Sequence, residues 1–473
     1  MTPYEQVKQH YVLPFELYPF QIEAVNEHAE QPHSALYLEA GTGKTVTSIV
    51  TSLYKKLQRP AMKILVVMPP ILLPNWKKNF GYFKRKDTGE SLPTLMYRGS
   101  PAARKAMSIA DHDVVLVGNE IFKKDYDRFL RELGHLHVHV IRDEAQSIKN
   151  VSTDNYKKFR EFTMEQTLQL LTGTPLTSSP MDAYAYIKLV NRYAYKTLYA
   201  YISAHVAKSD FFGNPTEWVN LDLLEKNLMT NATRKTKEDV LKDLPPCITN
   251  VIEYDLSPKH LSLYNRLATE EMLKYEDGTK FDAATVQALW HALQQLVVNY
   301  EHFSGDENAK DIAPLDLVEE ILEEIAPRKL IVFSHYKMTN RALMKRFGEK
   351  YNAIGIWGEM SAKQKEQGLA KFLDDPTCRL GVLQSTAAGV GLDGLQHVCN
   401  DVLFLEVPMT PAAFDQARSR IYRDGQRVPV NCRVAVANGT LQVRGAKALA
   451  EKQALVNSVQ GGLADFKNAV FGR

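Results

Sequence analysis

Short apolar runs, each followed by turn chemistry and then a helix-like stretch, constrain this chain more than any other feature. In the first half they fall at residues 34–38, 64–68, 114–117, 138–141 and 168–171. Runs of four or five residues are too short for buried helices and read as buried strands. Strand–helix alternation at this spacing predicts a parallel sheet with helices on both faces. The pattern returns at 330–333, 353–356, 380–383, 402–405 and 434–436. Between the halves, residues 191–327 read as mostly helical and are rich in Leu, Tyr and charge. Pro245 and Pro246 interrupt this stretch and mark a hinge, and residues 305–308 read as a loop. The expectation is an α/β chain with a first lobe over 1–245, including a helical protrusion at about 191–245. The second lobe covers 246–473, with a helical segment at about 257–327.

Composition agrees with that size. A chain of 473 residues calls for more than one domain, and 45% hydrophobic content with 24% charge excludes a disordered chain. A net charge of +3 neither requires nor excludes a polyanionic partner. Cys247, Cys378, Cys399 and Cys432 lie far apart with no C-x-x-C pair, against a disulfide scaffold or zinc knuckle and in keeping with a reducing compartment. No secretory signal is visible at the start, and the most apolar run, 64–73, carries Pro69 and Pro70 and is far short of the ~20 residues of a spanning helix. A soluble intracellular protein is expected.

After the run 34–38 comes Glu39-Ala40-Gly41-Thr42-Gly43-Lys44-Thr45 and then a helix over 46–57. A glycine-rich turn opening a helix aims consecutive backbone N–H groups at phosphate oxygens. Gly41, Thr42 and Gly43 form that cradle, Lys44 reaches the terminal phosphates, and the Thr45 hydroxyl can ligate Mg²⁺. Leu38 stands where the longer form of this loop has a small residue. The run 138–141 leads into Asp143-Glu144-Ala145-Gln146. Phosphoryl transfer to water needs one carboxylate on the metal and another to orient the attacking water. Asp143 suits the metal, Glu144 the water, and Gln146 the coupling of hydrolysis to movement. In the second half Arg420 and Arg423 are spaced to share one helical face and can stabilise charge on a γ-phosphate. The segment 385–393 is Gly-rich and follows a strand, as a ligand-contacting loop does. His135, His137 and His139 alternate towards the catalytic strand. They could bind a metal, but a sheet face covered by a helix accounts for them more simply.

Taken in order, these motifs resemble the Swi/Snf-type DNA translocases of helicase superfamily 2. The resemblance is carried also by Leu17-Tyr18-Pro19-Phe20-Gln21, by residues 68–76 with Trp76, by Ile148-Lys149-Asn150, and by Leu171-Thr172-Gly173-Thr174-Pro175. It extends to Arg234-Lys235-Thr236-Lys237-Glu238-Asp239-Val240, Arg420-Ile421-Tyr422-Arg423-Asp424-Gly425-Gln426 and Gly439-Thr440. Tyr18, Leu38, Asp393 and Tyr422 depart from the family pattern. The resemblance implies two RecA-like lobes, each a parallel sheet flanked by helices, with a helical insertion between them and ATP and Mg²⁺ as cofactors. It implies that Gln21 reads adenine and that Gly391 and Asp393 meet the nucleotide from the second lobe. Pro69, Gly118, Asn119, Lys149, Thr172, Ser334, His335, Ser385 and Thr386 fall where the family grips nucleic acid. The implied activity is a DNA-dependent ATPase that moves along double-stranded DNA and remodels protein–DNA or branched DNA structures. The bare motor resembles bacterial or viral forms, without accessory domains. It is expected to be a monomer, cytoplasmic (nuclear in a eukaryote), away from membranes, and brought to its task by a recruiting protein. Two other readings stand beside it: a strand-separating DNA or RNA helicase, and a catalytically silent nucleic-acid-binding regulator.

Overall fold

The computed structural model describes residues 1–177, 179–211, 213–273, 283–305, 313–385 and 393–460. The chain divides into two compact units, one built on Met1–Lys242 and the other on Asp243–Gln453. The first contains strands β1 (Tyr11–Val12), β2 (His33–Leu38), β3 (Lys63–Met68), β4 (Lys84–Arg85), β5 (Thr94–Tyr97) and β6 (Val114–Gly118). It continues with β7 (Val138–Arg142), β8 (Thr167–Leu171), β9 (Val206–Ser209), β10 (Pro215–Trp218) and β11 (Ala232–Lys235). The second contains β12 (Cys247–Tyr254), β13 (Leu330–Ser334), β14 (Ile354–Ile356), β15 (Leu380–Gln384), β16 (Asp401–Phe404) and β17 (Val430–Ala437).

Each unit is organised around one sheet in which every pairing is parallel. The first has seven strands in the order β11-β2-β8-β7-β3-β6-β5, and the second has six in the order β12-β17-β16-β13-β15-β14. Successive residues of a strand face opposite sides, so a strand covered on both faces must be apolar throughout. On one face Tyr37, Leu65, Val67, Val115 and Val140 pack with Phe122, Phe129 and Phe159 from helices. On the other, Leu36, Ile64, Val66, Leu116 and Ile141 pack with Ile49, Leu53, Trp76 and Phe80. The second sheet repeats this arrangement. Val332, Val382 and Leu403 meet Leu322, Leu343 and Phe347, while Ile331, Phe333 and Val402 meet Phe372 and Ile421.

Every interior strand coincides with an apolar run of the sequence. Most of the described residues in 191–327 are helical, as the sequence suggests, but β9, β10, β11 and β12 also lie within the stretch. None of these strands is an unbroken buried apolar run: β9 and β10 form a separate two-stranded ribbon, and β11 and β12 are sheet edges, β11 half-buried and β12 largely exposed. A strand with one paired side and solvent beside it needs no apolar run. The second correction concerns Arg420 and Arg423. The helix Pro411–Arg418 ends before them, so they occupy successive turns and do not share a helical face. Gly425, at φ +89°, follows them and carries the chain through a conformation no helix continues. Of the expected loop at 305–308, only Gly305 lies within the described residues. All four cysteines are free thiols, and no described helix is long and apolar enough to cross a membrane.

Candidate nucleotide site and strand-end contacts

Because β2, β8, β7, β3 and β6 are adjacent and parallel, their carboxyl ends share one edge. Along it lie the glycine-rich loop after β2, Thr172 after β8 and Asp143 and Glu144 after β7. Pro69 follows β3, and Gly118 and Asn119 stand at the end of β6. Ligands of parallel α/β sheets bind at this edge.

The loop is shaped by its glycines. Gly41 and Gly43 sit at φ +88° and +87°, a region that side-chain-bearing residues rarely adopt. Thr42 Oγ1 donates to the Glu39 carbonyl at 2.7 Å, and Lys44 Nζ donates to the Leu38 carbonyl at 2.7 Å. Lys44 and Thr45 open the helix Lys44–Gln58, where free N–H groups and the helix dipole favour an anion. Leu38, the departure from the longer loop pattern, is fully buried as the last residue of β2, so apolar packing governs that position. Gln21 is committed to the loop: its Nε2 donates to the Thr42 carbonyl at 3.0 Å, and its Oε1 accepts the Tyr18 N–H at 2.9 Å. A Cβ at Gly43 would stand 2.2 Å from Gln21 Nε2, and one at Gly173 would stand 3.2 Å from the Ala40 nitrogen. A side chain at position 43 would displace Gln21 from the loop, and one at position 173 would press on the backbone at Ala40.

Asp143 is buried. Its Oδ2 accepts the Trp76 indole N–H at 2.8 Å, and its Oδ1 accepts the Glu144 N–H at 2.9 Å. Burial first, then the neighbouring Glu144 charge, pushes its carboxyl up to about 6, with Trp76 and the Lys44 ammonium acting in the opposite sense. Lys44 and the carboxylates thus share one electrostatic environment. Glu144 sits at φ +49°, in the left-handed region. From it a chain of hydrogen bonds leads away: Gln146 Nε2 donates to Glu144 Oε2 at 2.6 Å, and Thr172 Oγ1 donates to Gln146 Oε1 at 2.9 Å. Lys149 donates to Thr177 and lies 3.5 Å from Asp182. A hard cation takes oxygen ligands, and a nucleotide phosphate takes N–H groups and an ammonium. The Thr45 hydroxyl, Asp143, Lys44 and the loop backbone are that donor set, so the residues present fit Mg²⁺–ATP.

In the second unit Ser334 ends β13, His335 follows it, and Ser385 follows β15. The Ser385 N–H donates to the Ser334 carbonyl at 2.8 Å, joining these neighbouring strand ends. Beneath them lies Glu406, whose Oε1 accepts from Ser334 Oγ at 3.0 Å and whose Oε2 accepts the His335 N–H at 3.1 Å. Burial raises the Glu406 carboxyl to about 7. Arg423 donates to Asp393 Oδ1 at 2.6 Å, so the Asp at this position engages the arginine. Thr386 and Gly391 lie outside the described residues. Of the three histidines, His139 is buried on β7 beside Thr167 Oγ1, at 3.0 Å, while His135 and His137 are exposed before the strand.

The sequence left several functional neighbours unread. Trp76 marks a motif but gives no sign of its bond to Asp143. Glu406 could have been noticed as the one carboxylate within the apolar run 402–407. Glu39 accepts both the backbone N–H of Lys237, at 2.9 Å, and its ammonium, at 3.1 Å, across a long sequence separation.

Parallel sheets carrying a glycine-rich phosphate loop and strand-end carboxylates define a nucleotide-hydrolysing motor fold. The family model for the SNF2-related domain matches residues 24–302, and that for the helicase conserved C-terminal domain matches residues 313–425. The chain belongs to the SNF2-related family and is by that membership an ATP hydrolase. An uncharacterized ATP-dependent helicase of Mycoplasma pneumoniae is 27% identical over 89% of this chain and 39% of its own length. The mouse DNA annealing helicase and endonuclease ZRANB3 is 25% identical over 85% of this chain and 37% of its own length. The chain thus spans less than two-fifths of either relative. A solved Sulfolobus solfataricus SWI2/SNF2 ATPase core in complex with dsDNA aligns over 97% of both chains, at 20% identity and a TM-score of 0.45.

Proposed function

We propose that this protein is a DNA-dependent ATPase that translocates along double-stranded DNA, with Mg²⁺ as the metal. The observation that carries the reading is the chain Glu144–Gln146–Thr172. It ties the carboxylate suited to orienting water to the buried Thr172 hydroxyl at the end of β8, a position where the resemblance implies a nucleic-acid contact. DNA bound over the end of β8 would shift the segment carrying Thr172 and so its bond to Gln146, and Gln146 would reorient Glu144, so hydrolysis answers to DNA. Mg²⁺ at Thr45 and Asp143 would neutralise charge on the phosphates. Lys44 and the loop N–H groups hold the phosphates, and Glu144 holds the attacking water. Arg420 and Arg423 supply transition-state charge, and Gln21 sets the loop. Pro69, Gly118, Asn119, Lys149, Ser334, His335 and Ser385 contact the backbone, giving little sequence preference. The presence of Lys44, Asp143 and Glu144 together argues against a silent regulator.

The deciding experiment is ATP turnover with no nucleic acid, duplex DNA, single strands and RNA. Duplex DNA is expected to stimulate most. Stimulation by RNA above that by duplex DNA would overturn the reading.

A further inference from the structure

Arg142, the residue before the carboxylate pair, stands where the pattern of β7 calls for an apolar side chain. Successive residues of a strand alternate faces, so Arg142 shares a face with Val138 and Val140, which pack in one apolar layer with Phe159. The arginine is fully buried, its guanidinium 5.0 Å from the centre of the Phe159 ring. Burial pushes that guanidinium down from 12.5 to about 9, with the Glu120 carboxylate acting in the opposite sense, so at neutral pH it is still a cation. Its Nε and Nη1 have no hydrogen-bond partner among the described residues. A buried charge so poorly paired costs stability, and an apolar side chain of similar volume removes that cost. Packing therefore does not account for an arginine here.

What the guanidinium does hold is a hydroxyl. Arg142 Nη2 donates to Ser147 Oγ at 3.0 Å, and Ser147 Oγ donates to the Glu144 carbonyl at 2.8 Å. The Ser147 N–H donates to the same carbonyl at 3.1 Å. A hydroxyl turns freely about its C–O bond, and a donor on its oxygen decides where its own proton points. With the arginine donating, the Ser147 proton is left to Glu144. The carbonyl it secures belongs to a residue at φ +49° and ψ +56°, a conformation that a Cβ disfavours. Backbone and side-chain directions are coupled at the Cα, so holding this carbonyl also aims the Glu144 carboxylate.

We infer that Arg142 is a positioning residue for Glu144, acting through the Ser147 hydroxyl to keep the Glu144 backbone left-handed and its carboxylate aimed at the attacking water. The inference rests on the role proposed above for Glu144 and deepens it. Gln146 holds the carboxylate, while Ser147 and Arg142 hold the backbone that carries it.

The test is steady-state ATP turnover by the full chain, with and without duplex DNA, beside urea unfolding of each variant. Arg142→Met fills the space without the charge, and Ser147→Ala removes an exposed hydroxyl at little risk to folding. Each is expected to lower kcat about 10- to 100-fold, the scale of a misaimed catalytic group, with KM for ATP within about two-fold. Arg142→Met should unfold at a urea concentration equal to or above that of wild type, which loss of an arginine serving only the fold would not give. The double variant should be no slower than the slower single one, because both act on one path. Ser147→Thr keeps a hydroxyl and should hold kcat within about three-fold of wild type. Wild-type kcat in Ser147→Ala, or losses that multiply in the double variant, would overturn the assignment. So would an Arg142→Met that loses stability and kcat together. Glu144→Gln is measured beside them. If it is inactive while Arg142→Met and Ser147→Ala turn over normally, the positioning role falls and the role of Glu144 stands. Near-normal turnover by Glu144→Gln would remove the water-orienting role, and the positioning role with it.

Discussion

At the scale of single residues, adjacent carboxylates are separated in role by their surroundings. Asp143 is buried and fixed by Trp76, whereas Glu144 projects from a left-handed backbone and is held by Gln146. Glu144→Gln should therefore still bind Mg²⁺–ATP but lose at least about 10²-fold in turnover, as expected for a lost general base. Lys44→Ala should weaken nucleotide affinity as well. A fluorescent ATP analogue and single-turnover hydrolysis separate the two, and near-normal turnover by Glu144→Gln would remove its assignment. Thr172→Val keeps the shape of the side chain but breaks the bond to Gln146. Basal turnover should then stay within a few-fold while the ratio of DNA-stimulated to basal rate collapses. A variant with the wild-type ratio would show that coupling runs elsewhere. The glycines, Lys44 and the Asp-Glu pair were legible because their signals are local. The relay and the indole bond were not, because they join residues brought together only by adjacent strands.

At the scale of elements, the interior strands of both sheets stand out in the sequence, while β5, β11 and β12, all edges, do not. Burial on both faces demands an unbroken apolar run, and an edge does not. Glu406 is the exception within such a run, and its burial has a pH consequence. Its carboxyl is raised from 4.5 to about 7 in the folded chain. The unfolded chain therefore ionises first, and the folded state loses stability as pH rises between those values. Glu406→Gln cannot ionise. The stability of wild type relative to this variant should fall from about pH 4.5 to about pH 7 and stay level above. Urea unfolding across that range measures it, and a pH-independent difference would mean Glu406 is not held neutral.

At the scale of the whole molecule, Lys44 and Arg423 lie in different units of the chain. A guanidinium supplying charge in the transition state affects turnover far more than ground-state affinity. Arg423→Ala is expected to lose about 10³-fold or more in turnover with ATP affinity nearly kept. Arg423→Lys keeps the charge but loses the planar fork, and should also be badly impaired. A fully active, DNA-stimulated Arg423→Lys enzyme would shift the role to a point charge or to Arg420. Binding through phosphate contacts releases counterions, so duplex stimulation should fall steeply with salt. A flat response between low and moderate salt would count against a backbone-tracking motor.

Local chemistry and apolar runs by themselves determined the α/β class, the strands that fill both sheets, the phosphate loop and the carboxylate pair. Each is written in consecutive residues, because a glycine turn or a doubly buried strand imposes its demand on neighbours in the chain. Only the tertiary structure decided the edge strands, the end of the helix ahead of Arg420 and Arg423, the Glu144–Gln146–Thr172 relay and the bond of Trp76 to Asp143. These depend on strand order and on what covers each face, and both are set by contacts between residues remote in sequence.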